Sequence, residues 1–135
     1  MSQTNELEIM ERIALDLEHV EESLASSFNT GAEDFNALIR PLSAAGGKRL
    51  RAQLCLLIAN AGTSIERQRI KIAEAVEMLH LATLIHDDVL DQAEIRRGED
   101  TIHMHKGNKV AILSGDYLFA KAFKIVSEMT NMKYL

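Results

Sequence analysis

Met78-Leu79-His80-Leu81-Ala82-Thr83-Leu84-Ile85-His86-Asp87-Asp88-Val89-Leu90-Asp91 is the stretch that decides the fold. From Met78 to Ile85 it is apolar on nearly every side of a helix, a pattern that suits a helix surrounded by other helices. It then emerges into acids in the pattern DDxxD. At helical spacing Asp87 and Asp91 lie one turn apart, and Asp88 sits three residues before Asp91. Their charges crowd one edge and repel unless a cation joins them. The negative end of the helix dipole adds to this, disfavouring each by about 0.3–1 kcal/mol. A few carboxylates, several waters and a phosphate are what Mg²⁺ takes as ligands. Acids on a solvated helix face need no ion, but these follow a core segment, which favours a magnesium-diphosphate site.

Outward from that stretch the chain is a series of helices. Thr63-Ser64-Ile65-Glu66 is a capping box that opens the helix running through Ile72, Val76, Leu79 and Leu84 to about Asp91. Upstream, Leu7, Met10, Ile13, Leu17, Val20 and Leu24 recur in steps of three and four, predicting an amphipathic helix from Asn5 to about Ser27. Asn5 followed by Glu8 resembles a capping box, and Ser26 to Gly31 supplies the stop. A short helix is expected over Glu33 to Ile39 before Pro41, then a small-residue loop over Ser43 to Gly47. Arg49 to Asn60 reads as helix, ending near Gly62. Downstream, Ala93 to Asn108 is a polar connection, and Lys109 to about Thr130 returns to helix. No internal repeat or second-domain boundary interrupts the 135 residues. The expectation is one all-α domain over 1–135, an antiparallel helix bundle.

Composition agrees. Hydrophobic residues are 47% and charged residues 26%, ordinary for a globular chain. Trp is absent, Pro41 is the lone proline and the seven glycines fall mostly between long unbroken stretches. A net charge of -5 does not suit a nucleic-acid binder or a polybasic membrane anchor. The N-terminus is acidic and polar rather than a signal sequence. No apolar stretch approaches the roughly 20 residues of a transmembrane segment. Cys55 stands alone in Leu54-Cys55-Leu56-Leu57, so no intramolecular disulfide can form and a buried, inert thiol is expected. A reducing, cytoplasmic setting follows by default.

Two basic motifs accompany the acids. In Gly46-Gly47-Lys48-Arg49-Leu50-Arg51 the glycines let backbone approach a ligand, and Lys48 and Arg51 share a helical face beside free N–H groups. That set suits an anion, though a solvated basic helix start would look the same. It is not a P-loop, since the spaced glycines and the hydroxyl after the lysine are missing. Arg96-Arg97-Gly98 follows the aspartates closely enough to grip phosphates with paired N–H groups. His80 lies two turns before Asp87 on the same side of the helix, where a neutral core histidine is the plainer reading. His103 and His105 alternate in a connection and lack the further ligands of a zinc site.

As an ordered set these motifs resemble the trans-prenyl diphosphate synthases. The set comprises the glycine-basic motif, Glu77-Met78-Leu79-His80 leading into Asp87-Asp88-Val89-Leu90-Asp91, Arg96-Arg97-Gly98, and Gly107-Asn108-Lys109-Val110-Ala111-Ile112-Leu113-Ser114-Gly115-Asp116-Tyr117-Leu118. The resemblance runs from about Pro41 to Phe123. It is closest to bacterial medium- and long-chain polyprenyl synthases, including the larger subunit of heptaprenyl diphosphate synthases. It implies the isoprenoid synthase helix bundle and head-to-tail condensation of isopentenyl diphosphate with an allylic diphosphate. Asp87, Asp88 and Asp91 would then hold Mg²⁺ and the allylic diphosphate, with Arg96 also touching it. Lys48, Arg51, His80 and Arg97 would bind isopentenyl diphosphate. The resemblance also implies a homodimer or heterodimer.

Product length is partly written in Ala82 and Thr83, which in this family line the prenyl tunnel. Both are small, which favours a product longer than farnesyl. Ala52 and Asp100 stand where the family often has proline. The family's second aspartate-rich motif and its Lys-Thr pair do not occur, so the resemblance makes this chain the N-terminal half of a polyprenyl synthase domain, inactive alone. The end of the chain, Met129 to Leu135 soon after a helix, fits such a fragment. The alternatives are a short noncatalytic subunit and a regulatory helical interaction protein, against which stand the substrate-binding positions kept throughout. Half a bundle would expose apolar helix faces, so self-association or instability is expected.

Overall fold

The structure, a computed structural model, describes residues 3–44, 47–62 and 66–130. Among the described residues there are six helices: α1 (Gln3–Ser27), α2 (Glu33–Ala44), α3 (Leu50–Asn60), α4 (Glu66–Leu90), α5 (Ile102–Lys106) and α6 (Asn108–Thr130). A two-stranded hairpin, β1 (Ile95–Arg96) and β2 (Glu99–Asp100), lies between α4 and α5. The expected all-α bundle is what forms. Of the capping-box residues, Thr63, Ser64 and Ile65 lie outside the described part, as does Gly46.

α4 is the hub. Ala73, Ala75, Met78, Leu81, Ala82 and Ile85 are buried along it, and α1, α3, α5 and α6 all pack against it. This is why its sequence is apolar nearly all round. α6 makes the most extensive contact, presenting Ala111, Ser114, Gly115, Leu118, Ala122 and Ile125 to α4 and the core. Small residues on that face bring the two helices close. At Gly115 the approach is so tight that a Cβ would overlap the His86 ring.

α1 buries Ile13, Val20 and Leu24 as its periodicity predicts, but Leu7 and Met10 are exposed, because the helix extends beyond the elements packed on it. It begins before Asn5, which therefore lies within the helix rather than at its cap. α2 continues through Pro41 to Ala44 instead of stopping near Ile39. Proline there removes one N–H donor, to the carbonyl of Ala37. Ala37 and Pro41 are both exposed, so water can satisfy the freed carbonyl. Cys55 is half-buried rather than buried, and burial pushes its thiol up, away from the reactive thiolate.

The connection after α4 is more ordered than its composition suggests. Its hairpin pairs Ile95 with Asp100 and Arg96 with Glu99 across the two-residue turn Arg97-Gly98. Both turn residues have positive φ, 53° and 84°, the backbone a tight hairpin of this hand requires. Thr101 then closes the loop, donating its N–H to Glu94 at 2.9 Å and its hydroxyl to Ala93 at 2.8 Å. Strands of two residues are too short to show alternation, so periodicity gives no sign of them. Among the described residues no helix is long and apolar enough to cross a membrane.

Candidate functional site

The end of α4 and the turn after it deliver the three aspartates in two different states. Asp87 and Asp91 are exposed, whereas Asp88 is 4% exposed. The hairpin aims Arg96 back at Asp88: Nε lies 2.9 Å from both carboxylate oxygens, and Nη2 donates to Oδ1 at 2.6 Å. That hydrogen bond is the first reason the Arg96 guanidinium is pushed up. Burial opposes it, and the fields of Asp88, Asp87 and Asp91 add to it. The expected crowd of unpaired charges is therefore already one charge lighter before any cation arrives. His86, one residue before the motif, seats this turn on α6, its Nε2 3.0 Å from the Ile112 carbonyl and 3.4 Å from Asp116.

The basic residues converge one to two turns back. Lys48, Arg51, His80 and Arg97 line one cavity of about 220 Å³, with Glu77, Leu81 and Leu84 among its other walls. They come from three separate places: the loop and first turn of α3, the middle of α4 and the hairpin turn. Gly47 lies beside Arg97: a Cβ on it would sit 3.4 Å from Nη2, an ordinary contact, so this approach does not require glycine. His80 records the convergence, held below its ordinary value first by burial and then by Arg51. Glu77 partly opposes this, and Arg97 and Arg96 add to it. The charges of Arg51, Arg97 and Arg96 thus add to burial in disfavouring the protonated form of His80.

The backbone of the basic loop is pinned by residues to which the motifs assign no role. Arg49 has left-handed backbone, φ 48°, at the α3 N-cap and offers no side-chain cap. Its guanidinium instead bonds Glu21 at 2.5 and 3.1 Å and the Ser43 carbonyl at 2.6 Å. Glu77, buried on α4, accepts the Ala52 N–H at 3.0 Å. A buried glutamate within an apolar run gives no signal in sequence, because its partners lie 25 residues or more away.

Other expectations meet a different geometry. Thr83 is exposed, donating its hydroxyl to the His80 carbonyl at 2.7 Å, but Ala82 is fully buried in the bundle. A cavity of about 390 Å³ touches neither; it lies between α2, α4, the hairpin and α5, lined by Leu38, Pro41, Leu42, Leu81, Leu84 and Ile102 among others. His103 bonds the Ala93 carbonyl at 2.6 Å, and His105 lies 3.9 Å from Asp100. Among the described residues, the one group of three metal-capable side chains whose ligand atoms lie within 4.8 Å is Asp16, His19 and Glu66, remote from the DDxxD turn in sequence. Asp16 there is already held by Arg69 at 2.7 and 3.0 Å, so the group is an ion-pair cluster.

Residues 32–135 match the family model described as Polyprenyl synthetase. The chain is 33% identical over 133 residues to solanesyl diphosphate synthase 1, chloroplastic, of Arabidopsis thaliana, covering 94% of this chain and 33% of that protein. It is 32% identical over 127 residues to octaprenyl diphosphate synthase of Escherichia coli, covering 94% and 39%. The crystal structure of polyprenyl synthase from Caulobacter crescentus, complexed with calcium and isoprenyl diphosphate, superposes with a TM-score of 0.83 at 36% identity, covering 93% of this chain and 38% of that one. The chain thus spans about a third of the length of these relatives, less than the half its motifs imply. With the helical architecture, the ordered motifs and the family match in agreement, the chain belongs to the polyprenyl synthetase family.

Proposed function

We propose that this chain carries the diphosphate-handling wall of a trans-prenyltransferase, which adds isopentenyl diphosphate head-to-tail to an allylic diphosphate and makes a polyprenyl diphosphate. The observation that carries this reading is the gathering of Lys48, Arg51, His80 and Arg97 around one cavity. In the reaction the allylic C–O bond breaks and diphosphate leaves. C4 of isopentenyl diphosphate then attacks the carbocation, and loss of a proton restores the double bond. Lys48, Arg51 and Arg97 bind the diphosphate of the attacking substrate, with His80 beside them. Asp87, Asp88 and Asp91 form the metal-binding turn: Asp87 and Asp91 offer the exposed carboxylates, while Asp88 orients Arg96 toward the allylic diphosphate. Hard oxygen donors on one exposed turn fit Mg²⁺, which when bound neutralises charge on the departing diphosphate.

Small side chains at Ala82 and Thr83 support a product longer than farnesyl; the exposed Thr83 faces the growing chain, and Ala82 keeps the wall behind it thin. Apolar side chains left exposed on α3 and α6 support assembly with a second chain, as homodimer or heterodimer. The half-buried lone Cys55 and the acidic composition fit a cytoplasmic enzyme. Because the chain spans a third of its relatives' length and lacks a second DDxxD, the remaining wall of the chamber has to come from other residues. The chain alone is therefore expected to bind but not to condense.

The test combines calorimetry with a condensation assay. Isopentenyl diphosphate is expected to bind the purified chain, and Lys48→Ala or Arg51→Ala to weaken it on the order of tenfold. With Mg²⁺, farnesyl diphosphate and labelled isopentenyl diphosphate, no polyprenyl product is expected from the chain alone. Absence of diphosphate binding, with or without Mg²⁺, would sink the reading; Mg²⁺-dependent product abolished by Asp87→Ala would show that the chain suffices for catalysis.

A further inference from the structure

We infer that Glu77 is a positioning residue for the cationic pocket, fixing the loop that carries Lys48 and Arg51 against the helix that carries His80. The inference rests on the diphosphate reading of that pocket and assigns Glu77 a task within it. Glu77 is 3% exposed and the one carboxylate among the residues lining the cavity. By charge alone it is in the wrong place, since a carboxylate beside an anion site repels the anion. Its contacts give the reason for it. One oxygen accepts the Ala52 N–H at 3.0 Å, an N-terminal donor of α3 that the αL residue Arg49 does not cap. The other faces Arg49 Nη1 at 3.5 Å.

Both contacts bracket the anion-binding side chains. Arg51 is the residue immediately before Ala52, and Lys48 immediately precedes Arg49. Arg49 is held in turn by Glu21 and the Ser43 carbonyl, and the Lys48 carbonyl accepts Gln53 Nε2 at 2.5 Å. Glu77 lies one turn before His80 on α4, so a single carboxylate sets the spacing between the α3 cations and the α4 histidine. Pyrophosphate has two phosphoryl groups and needs that spacing. A single phosphate needs only one side of the pocket.

Glu77→Gln tests this, because the amide carbonyl still accepts from Ala52 while the amide N–H₂ faces Arg49 as a second donor. Inorganic pyrophosphate and inorganic phosphate are titrated by calorimetry into the full chain, with thermal melts alongside. The expected result is a loss on the order of tenfold for pyrophosphate, little change for phosphate and a melt near that of the parent. Unchanged pyrophosphate binding would mean that Glu77 has no part in the pocket, and tighter binding that it acts through its charge alone. Equal losses for both anions would mean general loosening. Either result overturns the inference. If Glu77→Gln fails to fold, Glu21→Gln carries the test, since its carboxylate side chain is 48% exposed and among the described residues it reaches the loop through Arg49. A smaller loss with the same preference is expected there, and no loss overturns the inference. Lys48→Ala separates the two levels: if the parent chain ignores pyrophosphate, or Lys48→Ala binds it as well, the diphosphate reading fails and takes this inference with it. If Lys48→Ala weakens binding while both glutamate variants do not, only the positioning role is lost.

Discussion

Arg96 and Asp88 show how a single pair can ready a site. The carboxylate is buried, and the guanidinium is the group that satisfies both its oxygens. Replacing Arg96 with Gln leaves a buried charge short of its fork, which is expected to cost about 2 kcal/mol in urea denaturation. Asp87→Asn, on an exposed side chain, is expected to leave stability within about 0.5 kcal/mol while removing Mg²⁺ dependence from diphosphate binding. His80 links stability to pH with a definite sign. Its folded value lies below the ordinary 6.5 because of burial, Arg51, Arg97 and Arg96. The unfolded chain therefore takes up a proton first as pH falls, so the contribution of neutral His80 is complete above 6.5. It is lost as pH drops from there through the lower folded value. Denaturation midpoints compared at about pH 7.5 and about pH 5.5 should show a smaller drop for His80→Gln than for the parent.

Between elements, the decisive contact is the seam of α4 and α6. His86 occupies the space that Gly115 leaves, and its ring nitrogen reaches the Ile112 carbonyl. Gly115→Ala has no room for its methyl group and is expected to destabilise by about 1–3 kcal/mol, despite the better helix propensity of alanine. The double variant Gly115→Ala with His86→Ala should recover much of that loss, and a double-mutant cycle by chemical denaturation measures the coupling. Independent losses from the two changes would mean that the seam does not depend on this notch. The same contact sets the register of the aspartate turn, because His86 is the residue immediately before Asp87. The hairpin works alongside it. Arg97 and Gly98 both take positive φ, so the turn reverses within two residues and sends Arg96 back to Asp88.

At the scale of the whole molecule, burial is uneven. α4 is enclosed, but α3 leaves Leu54, Leu57 and Ile58 exposed and α6 leaves Leu113, Phe123 and Val126 exposed, Phe123 to 65%. Apolar area of that kind drives association. Sedimentation velocity is expected to show concentration-dependent self-association, reduced in Leu113→Glu with Phe123→Glu; a monodisperse monomer at all concentrations would contradict this. Local chemistry was enough to specify much of this molecule. Periods of three and four mark α1, α4 and α6, and the basic motifs name the cations of the pocket. Those signals lie within a few residues of one another, where helix geometry alone relates them. The tertiary structure decided the rest: that Asp88 turns inward to Arg96, that Glu77 caps a helix 25 residues upstream, that Ala82 is enclosed while Thr83 is not, and that α2 tolerates Pro41. In each case the residue's partner, or its access to water, is set by chain segments distant in sequence, and no local pattern records which side of a helix a distant segment will cover.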